Sequence, residues 1–397
     1  MIGLSFEKVH GRILLSLKDK DLRKGSVEST RDERKNRLEA FNRHPYVVEW
    51  AKEVRSIKEQ MLQDSPKLIG EFRDRFEKNG GHFHFAKDGD DLKRELLQVV
   101  GKGGLLVKSK SLVGEEVALR QFLQSNGTTV FETDLGEFLV QLTNGVPAHM
   151  VTPAVNMTES RARKVLEPYV GSELPNVESM VLGVRKFMRE KFFDADVGLV
   201  GANALAADTG SAIFITNEGN GALTSILPSK LIIITSIEKV YPRFTDAIKA
   251  CVVQTNYSGF MNTSYIHAIN GPSAGALGPK EVHLILLDNG RTKAMGGLQH
   301  MSKKAPTFRD ERMSLSETLY CLKCGACQLA CPVFKEVDGA WGGQAYTAAI
   351  GIPWTAITGS PTEAKALSYF CLGCGECKEI CPMGIDIPEL IRRCKSI

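Results

Sequence analysis

Residues 321–332 read CLKCGACQLACP, and residues 371–382 read CLGCGECKEICP. Each stretch places four cysteines in the pattern C-x2-C-x2-C-x3-C followed by proline, so the chain carries one motif twice. A [4Fe–4S] cubane needs four thiolates around one compact inorganic core, and this spacing is typical of bacterial two-cluster ferredoxins. The motif therefore predicts two [4Fe–4S] clusters in the C-terminal quarter of the chain.

The rule for such ferredoxins also predicts which cysteines share a cluster. The fourth cysteine of each run binds the cluster of the other run. The predicted ligands of one cluster are Cys321, Cys324, Cys327 and Cys381. The predicted ligands of the other are Cys371, Cys374, Cys377 and Cys331. Lys323 and Lys378 lie inside the runs, where their charges are placed to offset the negative clusters.

Two other interpretations of paired cysteines fit less well. A zinc ribbon needs four ligands in a tetrahedron, so the third and fourth cysteines of each run would be surplus. A disulfide framework needs an oxidising compartment and usually a small secreted chain. Cys251 and Cys394 lie outside both runs, and we expect them to be inert thiols rather than ligands.

Length and composition indicate a soluble protein of several domains. The 397 residues are 43% hydrophobic and 24% charged, with a formal net charge of +4. Two or three domains are expected for this length, and the mild charge does not indicate nucleic-acid binding. The sequence shows no signal peptide and no apolar run as long as a membrane span. We expect a cytoplasmic protein, with peripheral attachment to a membrane complex left open.

The chain divides into three parts. Residues 1–65 are charged and helical, and we expect them to pack against the domain that follows. Between residues 66 and 300, helical stretches alternate with short apolar strands, which predicts an α/β domain with a mainly parallel sheet. Its ligand site is expected at the carboxyl ends of the strands. Residues 301–397 have a long segment with helical pieces between the cysteine runs, which predicts an α-helical ferredoxin domain.

Three polar stretches of the α/β part are candidate sites. In VKSKS (107–111), Lys108, Ser109 and Ser111 precede a helix, where they either bind an anion or cap the helix. ETDLGEF (132–138) contains three carboxylates that supply either a general base or a cap.

TNEGNG (216–221) follows a buried strand and is either a turn or a polar ligand site. Its candidate substrate-binding residues are Thr216, Asn217, Glu218, Gly219 and Asn220, and Glu218 is the candidate catalytic residue. No G-x-G-x-x-G follows a strand, so the sequence indicates no flavin or nicotinamide site. A partner is therefore expected to complete any two-electron chemistry.

The chain resembles the iron–sulfur proteins of the bacterial and archaeal lactate-utilisation (LUD) family. The resemblance rests on both cysteine runs and on seven further stretches in family order. These are GGHFHFA (80–86), VKSKS (107–111), ETDLGEFLVQL (132–142), PAHMVTPAV (147–155), ADTGSAIFITNEGNG (207–221), IEKVYP (237–242) and GPKEVHLILLDNGR (278–291).

The resemblance implies a LUD domain of the ribose-phosphate isomerase/CoA-transferase type, followed by an α-helical ferredoxin domain. It also implies the oxidation of L-lactate to pyruvate with a cysteine-rich subunit that bears CCG motifs, and often with a second LUD protein. This chain contains no CCG. TNEGN matches the family motif, which favours Glu218 as a site residue. Asn156 and Asp208 stand where members usually carry His and Glu, and the segment after 270–273 is shorter than in many members.

Three functions follow from this reasoning. The first is an electron-transfer subunit of a complex that oxidises a small organic acid of the lactate type. The second is the same role in another assembly, either heterodisulfide-reductase-like or quinone-linked. The third is a redox-sensing protein that binds a ligand without turnover. A shared fold does not by itself distinguish them.

Overall fold

The computed structural model describes residues 4–101, 103–301 and 311–397. Over these residues the chain forms nineteen α-helices and ten β-strands. The first four helices precede any strand. They are α1 (Phe6–Lys18), α2 (Lys20–Arg43), α3 (Tyr46–Gln63) and α4 (Ser65–Lys78).

The central part alternates strands with helices, as the sequence predicts. Its strands are β1 (His82–Ala86), β2 (Leu105–Lys108), β3 (Thr129–Glu132), β4 (Val197–Gly201), β5 (Ala204–Ala206), β6 (Ser211–Thr216), β7 (Lys230–Ser236), β8 (Val240–Tyr241), β9 (Tyr265–Ile269) and β10 (Glu281–Leu287). Its helices are α5 (Gly89–Val100), α6 (Leu112–Glu116), α7 (Leu119–Ser125), α8 (Leu135–Leu142), α9 (Glu159–Val170), α10 (Val177–Asp194), α11 (Asn220–Ile226), α12 (Phe244–Tyr257) and α13 (Arg291–Met301).

Six strands form one parallel sheet in the order β1-β10-β7-β4-β2-β3. The central strand β7 is apolar along its length, and Ile232, Ile233 and Ile234 are fully buried. Such continuous apolar runs are expected where helices cover both faces of a parallel sheet. Helices α5 to α7 cover one face, and α8 to α10 contribute to the core on the other. The predicted mainly parallel α/β sheet is confirmed.

Four strands form a second sheet. Strand β6 belongs to it, in the order β8-β5-β6-β9, and runs antiparallel to both of its neighbours. A tight turn places β6 there, since Gly210 adopts a φ of +67° between β5 and β6. The helical stretch after β2 is divided into α6 and α7, because Ala118 has a left-handed φ of +50°.

The C-terminal part is helical, as predicted. It contains the 3-10 helices Glu311–Tyr320 and Asp338–Ala340. Its α-helices are α14 (Ala326–Ala330), α15 (Pro332–Val337), α16 (Ala348–Thr358), α17 (Pro361–Ser368), α18 (Glu376–Glu379) and α19 (Ile387–Cys394). Among the helices described, none is both long and apolar enough to cross a membrane.

The N-terminal helices join the two larger parts of the molecule. Helix α3 reaches the α/β part, where Lys58 Nζ donates to the carbonyl of Glu238 at 2.9 Å. Helix α1 contacts the C-terminal part instead, since Ser16 Oγ donates to the carbonyl of Val337 at 2.8 Å. The expectation that residues 1–65 pack on the following domain is therefore incomplete, because contacts between distant segments depend on the tertiary fold.

Candidate functional site: two cysteine cavities and an adjoining polar cavity

Four cysteines of the C-terminal part surround one small apolar cavity, here named the proximal cavity. They are Cys321, Cys324, Cys327 and Cys381. Three come from the first run and the fourth from the second. The rest of the wall includes Ile350, Ile385 and Ile387, and no acidic or histidine side chain lines it in the described part of the chain. A set of four thiols in an apolar shell fits a [4Fe–4S] cluster.

The other four cysteines surround a second cavity, here named the distal cavity. They are Cys331, Cys371, Cys374 and Cys377. Val333, Trp341 and Pro388 complete much of its wall. All eight thiols are free, so none is used in a disulfide. The structure thus brings together the two sets of cysteines named from the sequence, each with one cysteine from the opposite run.

The loops around the cavities depend on left-handed residues. Gly325 and Gly375 have φ values of +76° and +87° immediately before helices α14 and α18. Glycine adopts this region without steric cost. In the first run the N–H of Lys323 donates to Cys321 Sγ at 3.2 Å, so the loop turns a backbone donor towards a predicted ligand.

The two cavities differ in their exposure to solvent. Cys324 and Cys327 of the proximal cavity are buried. Cys374 of the distal cavity is exposed, and its neighbour Leu372 is 71% exposed. The distal cavity is therefore the one that lies nearer the surface of the protein.

A third cavity, here named the polar cavity, has a volume of about 160 Å³ and lies in the α/β part. It is located at the carboxyl ends of β2, β4 and β7, where sequence analysis expected a ligand. The end of β6 and the segment after it form another wall. Six of the candidate residues line this cavity: Ser109, Ser111, Thr216, Asn217, Glu218 and Asn220.

Two other candidates have structural roles and do not line the polar cavity. Lys108 Nζ is fully buried and donates to both carboxylate oxygens of Glu132 at 2.9 Å. Burial alone would lower the pKa of Lys108, but Glu132 and Glu115 outweigh it and raise this pKa. Gly219 has a φ of +80°, and its N–H donates to Thr216 Oγ1 at 3.2 Å. It therefore shapes the turn.

The acidic loop after β3 also has a structural role. Glu132 pairs with Lys108, and Asp134 accepts the N–H of Glu137 at 3.0 Å as the cap of α8. Asp134 additionally lines the polar cavity. Of the two interpretations left open by the sequence, capping is the one that the geometry supports.

Three lysines that were not among the sequence candidates line the polar cavity: Lys110, Lys239 and Lys323. Lys239 lies within IEKVYP, a stretch that carries the family resemblance, and this resemblance could have indicated Lys239 as a site residue. The sequence predicts Lys323 only as a charge that offsets a negative cluster. Both reach the cavity from segments far apart in sequence, so local patterns do not reveal that they meet.

Two groups at the polar cavity have pKa values close to neutrality. Partial burial and the nearby Asp134 raise the pKa of Glu218 to about 7, although Lys110 opposes this and the side chain is exposed at the rim. Burial and the charge of Lys323 lower the pKa of Lys239 to about 7. Such groups change charge readily near pH 7, as proton-transferring or anion-binding residues do.

The polar cavity and the proximal cavity are neighbours. Met150 lines both. Lys323 lines the polar cavity and lies between Cys321 and Cys324 of the proximal cavity in the sequence. A ligand in the polar cavity would therefore lie close to the first group of cysteines.

A buried ion network surrounds Lys323. Its Nζ donates to Glu238, and its charge lies 4.5 Å from the centre of the Trp354 ring. Arg291 Nε lies 2.6 Å from the other oxygen of Glu238. Arg291 also donates to Glu116 at 3.1 Å. The pKa of Glu238 is lowered because Arg291 and Lys323 outweigh the effect of its burial.

The residues at which the chain departs from the family pattern lie outside the polar cavity. Asn156 Nδ2 donates to Asp338 of the C-terminal part. Asp208 accepts the N–H of Phe244 at 2.9 Å at the start of α12. Both side chains support contacts between segments, so the departures leave the lining of the cavity unchanged.

Comparison with known proteins agrees with this architecture. The LUD domain family matches residues 69–287, and the 4Fe-4S dicluster domain family matches residues 317–385. The match to the dicluster domain means that the cofactors are two [4Fe–4S] clusters.

Similar proteins have been described in two well-known bacteria. Lactate utilization protein B of Bacillus subtilis is 33% identical over 361 residues, covering 88% of this chain and 72% of that protein. The uncharacterized electron transport protein YkgF of Escherichia coli is 32% identical over 392 residues, covering 97% and 79%. A solved DUF162 protein of Deinococcus radiodurans covers 56% of this chain and 98% of its own, at 14% identity and a TM-score of 0.31. Taken together, the family matches and these relatives show that the chain belongs to the LUD-domain proteins that carry a 4Fe-4S dicluster domain.

Proposed function

We propose that this protein is the iron–sulfur electron-transfer subunit of a complex that oxidises a small 2-hydroxy acid, with L-lactate as the expected substrate. One observation carries the proposal. The polar cavity adjoins the proximal cavity through Met150 and Lys323, while the distal cavity lies at the surface. When bound, the two clusters supply one-electron carriers between substrate and partner. The names of the relatives support lactate as the acid.

We propose that the two sets of cysteines hold one cluster each. The proximal set is Cys321, Cys324, Cys327 and Cys381, and the distal set is Cys371, Cys374, Cys377 and Cys331. All ten cysteines are free, which also favours a reducing compartment, so we place the complex in the cytoplasm.

A partner subunit is required for complete turnover. The oxidation of L-lactate to pyruvate releases two electrons and two protons, and the chain has no dinucleotide fingerprint to accept a hydride. We propose that a subunit with CCG motifs, together with a second LUD protein, performs the two-electron step. The exposed edge around Cys374 and Leu372 is the side from which electrons pass to or from such a partner.

Dye reduction by the anaerobically purified complex tests this function. The native complex should reduce a dye with L-lactate, and Cys374→Ala should abolish the reaction. Cys251→Ala is the matched control, because Cys251 is a free, buried cysteine of α12 that lines neither cysteine cavity. Full activity of the Cys374 variant would contradict the proposal.

The other candidate functions predict different results in the same experiment. Co-purification with disulfide- or quinone-linked subunits, with no reaction of any hydroxy acid, would favour another electron-transfer assembly. Ligand binding that changes the cluster potential, with no turnover in any partner mixture, would favour a redox sensor.

A further inference from the structure

Lys239 is a cation at the polar cavity, and the carboxylates of Glu238 and Glu116 act on it only at longer range than an ion pair. Its Nζ donates to the carbonyl of Ala202 at 3.0 Å, and among the described residues no acidic side chain forms an ion pair with it. An ammonium group has three N–H donors. Lys239 therefore has donors to spare inside the cavity, and burial together with Lys323 lowers its pKa to about 7.

Lys323 occupies a backbone position that favours glycine. The two cysteine runs align as CLKC and CLGC, so Lys323 corresponds to Gly373. Both residues are left-handed, with φ values of +60° and +68°. A side chain in this region is strained, and such strain is often found at functional sites. The first run thus retains a lysine where the second has the residue that fits the backbone, and the lysine reaches the polar cavity.

Positive charge is in surplus around Glu238. Four cations interact with this carboxylate or with its neighbours, and Glu116 is the second carboxylate of the group. The cations are Lys58, Lys239, Lys323 and Arg291. Within the described part of the chain, two carboxylates therefore face four cations. The negative cluster beside Lys323 compensates part of this positive charge, and Lys239 is the cation of the group that lines the polar cavity without an ion pair.

We propose that the polar cavity binds the carboxylate of a small organic acid against Lys239 and Lys323, and that the bound acid lowers the midpoint potential of the cluster in the proximal cavity. The inference rests on the proposed function, from which it takes the class of ligand. It adds the residues that bind the carboxylate and the effect of the ligand on the redox centre.

The effect on potential follows from electrostatics. A negative ligand beside the cluster disfavours the addition of an electron, and the interaction is strengthened because Lys323, Cys324 and Cys327 are buried. Thermodynamic linkage requires the reverse effect, so that the reduced protein binds the acid more weakly than the oxidised protein. A tenfold loss of affinity on reduction corresponds to a shift of about 59 mV in a one-electron potential. Reduction would thus promote release of the product acid.

Pyruvate and the isolated, cluster-loaded chain provide the test, because the partner is then absent and no turnover occurs. We expect pyruvate to bind the oxidised protein in calorimetry and to bind the reduced protein at least tenfold more weakly. In redox titrations followed by electron paramagnetic resonance, saturating pyruvate should move one of the two reduction steps to lower potential. Absence of binding, or binding with no shift in either step, would overturn the inference.

Two variants and one control test which residues bind the carboxylate. Lys239→Met should weaken pyruvate binding at least tenfold. Lys323→Gly should weaken binding and also lower the potential of the ligand-free protein, and it matches the backbone of the second run at Gly373, so the loop is retained. The control is Lys378→Met, since Lys378 is exposed, pairs with Asp386 and does not line the polar cavity. Unchanged affinity in the Lys239 variant would overturn the assignment.

These results are separable from those of the lactate assay. If the complex fails to oxidise L-lactate but pyruvate still shifts the potential, the proposed function fails and the binding site stands. If L-lactate is oxidised but pyruvate has no effect on either potential, the proposed function stands and this inference fails.

Discussion

Replacement of Glu238 by glutamine removes the central anion of the buried network without changing the volume of the side chain. Glu238 is fully buried and is the carboxylate that pairs with Lys323. Arg291 keeps Glu116 as a second partner. In the Glu238→Gln protein, Lys323 therefore has no carboxylate partner among the described residues, and the largest cost falls on this lysine.

The magnitude follows from the loss of one partner of a buried ion pair. The exposed fraction is 1% for the Lys323 side chain and 0% for that of Glu238. Breaking such a pair by removal of one partner costs about 3–5 kcal/mol, because the remaining charge stays buried without a counter-charge. We therefore expect the Glu238→Gln protein to be destabilised by about 3–5 kcal/mol.

Hydrogen–deuterium exchange of the anaerobic holoprotein measures this loss of stability relative to the wild type. It does so without global unfolding, during which the clusters would be lost. Amides of β7 should exchange about 10²–10³-fold faster in the variant. Glu49→Gln is the control, because its pair with Lys52 is exposed and is worth less than about 1 kcal/mol. An acceleration below tenfold would refute the reasoning.

Three further predictions concern the cysteines, the polar cavity and the core. Cys381→Ala should halve the iron content and leave only the exposed distal cluster. Chelators should therefore remove the remaining iron from the Cys381→Ala protein faster than from the Cys331→Ala protein. The opposite order would indicate that each run holds its own cluster. The raised pKa of Glu218 stabilises the fold at low pH, and this contribution is lost as pH rises through about 7. Between pH 5 and 8, the melting temperature of the wild-type protein should therefore decline more than that of the Glu218→Gln protein. Gly351→Ala should destabilise the holoprotein by about 1–3 kcal/mol, because the added Cβ would meet the carbonyl of Tyr346. The amides of α16 should then undergo hydrogen–deuterium exchange faster than in the wild type, and an unchanged exchange rate would contradict this.

The amino-acid sequence by itself determined the cofactors and most of the secondary structure. The repeated C-x2-C-x2-C-x3-C-P spacing specifies a two-cluster domain, because neighbouring ligands of one cubane must lie close together along the chain. The apolar runs of strands such as β7 and β10 likewise predict a covered parallel sheet, since strand burial follows from local composition.

The lining of the polar cavity was decided only by the tertiary structure. Lys108 and Lys110 belong to one short motif, yet Lys108 is held by Glu132, whereas Lys110 lines the cavity. Lys239 and Lys323 lie far apart in sequence and meet because the end of β7 packs against the first cysteine run. A charged side chain is a ligand, a structural partner or a surface group according to the residues that surround it, and those residues come from distant segments.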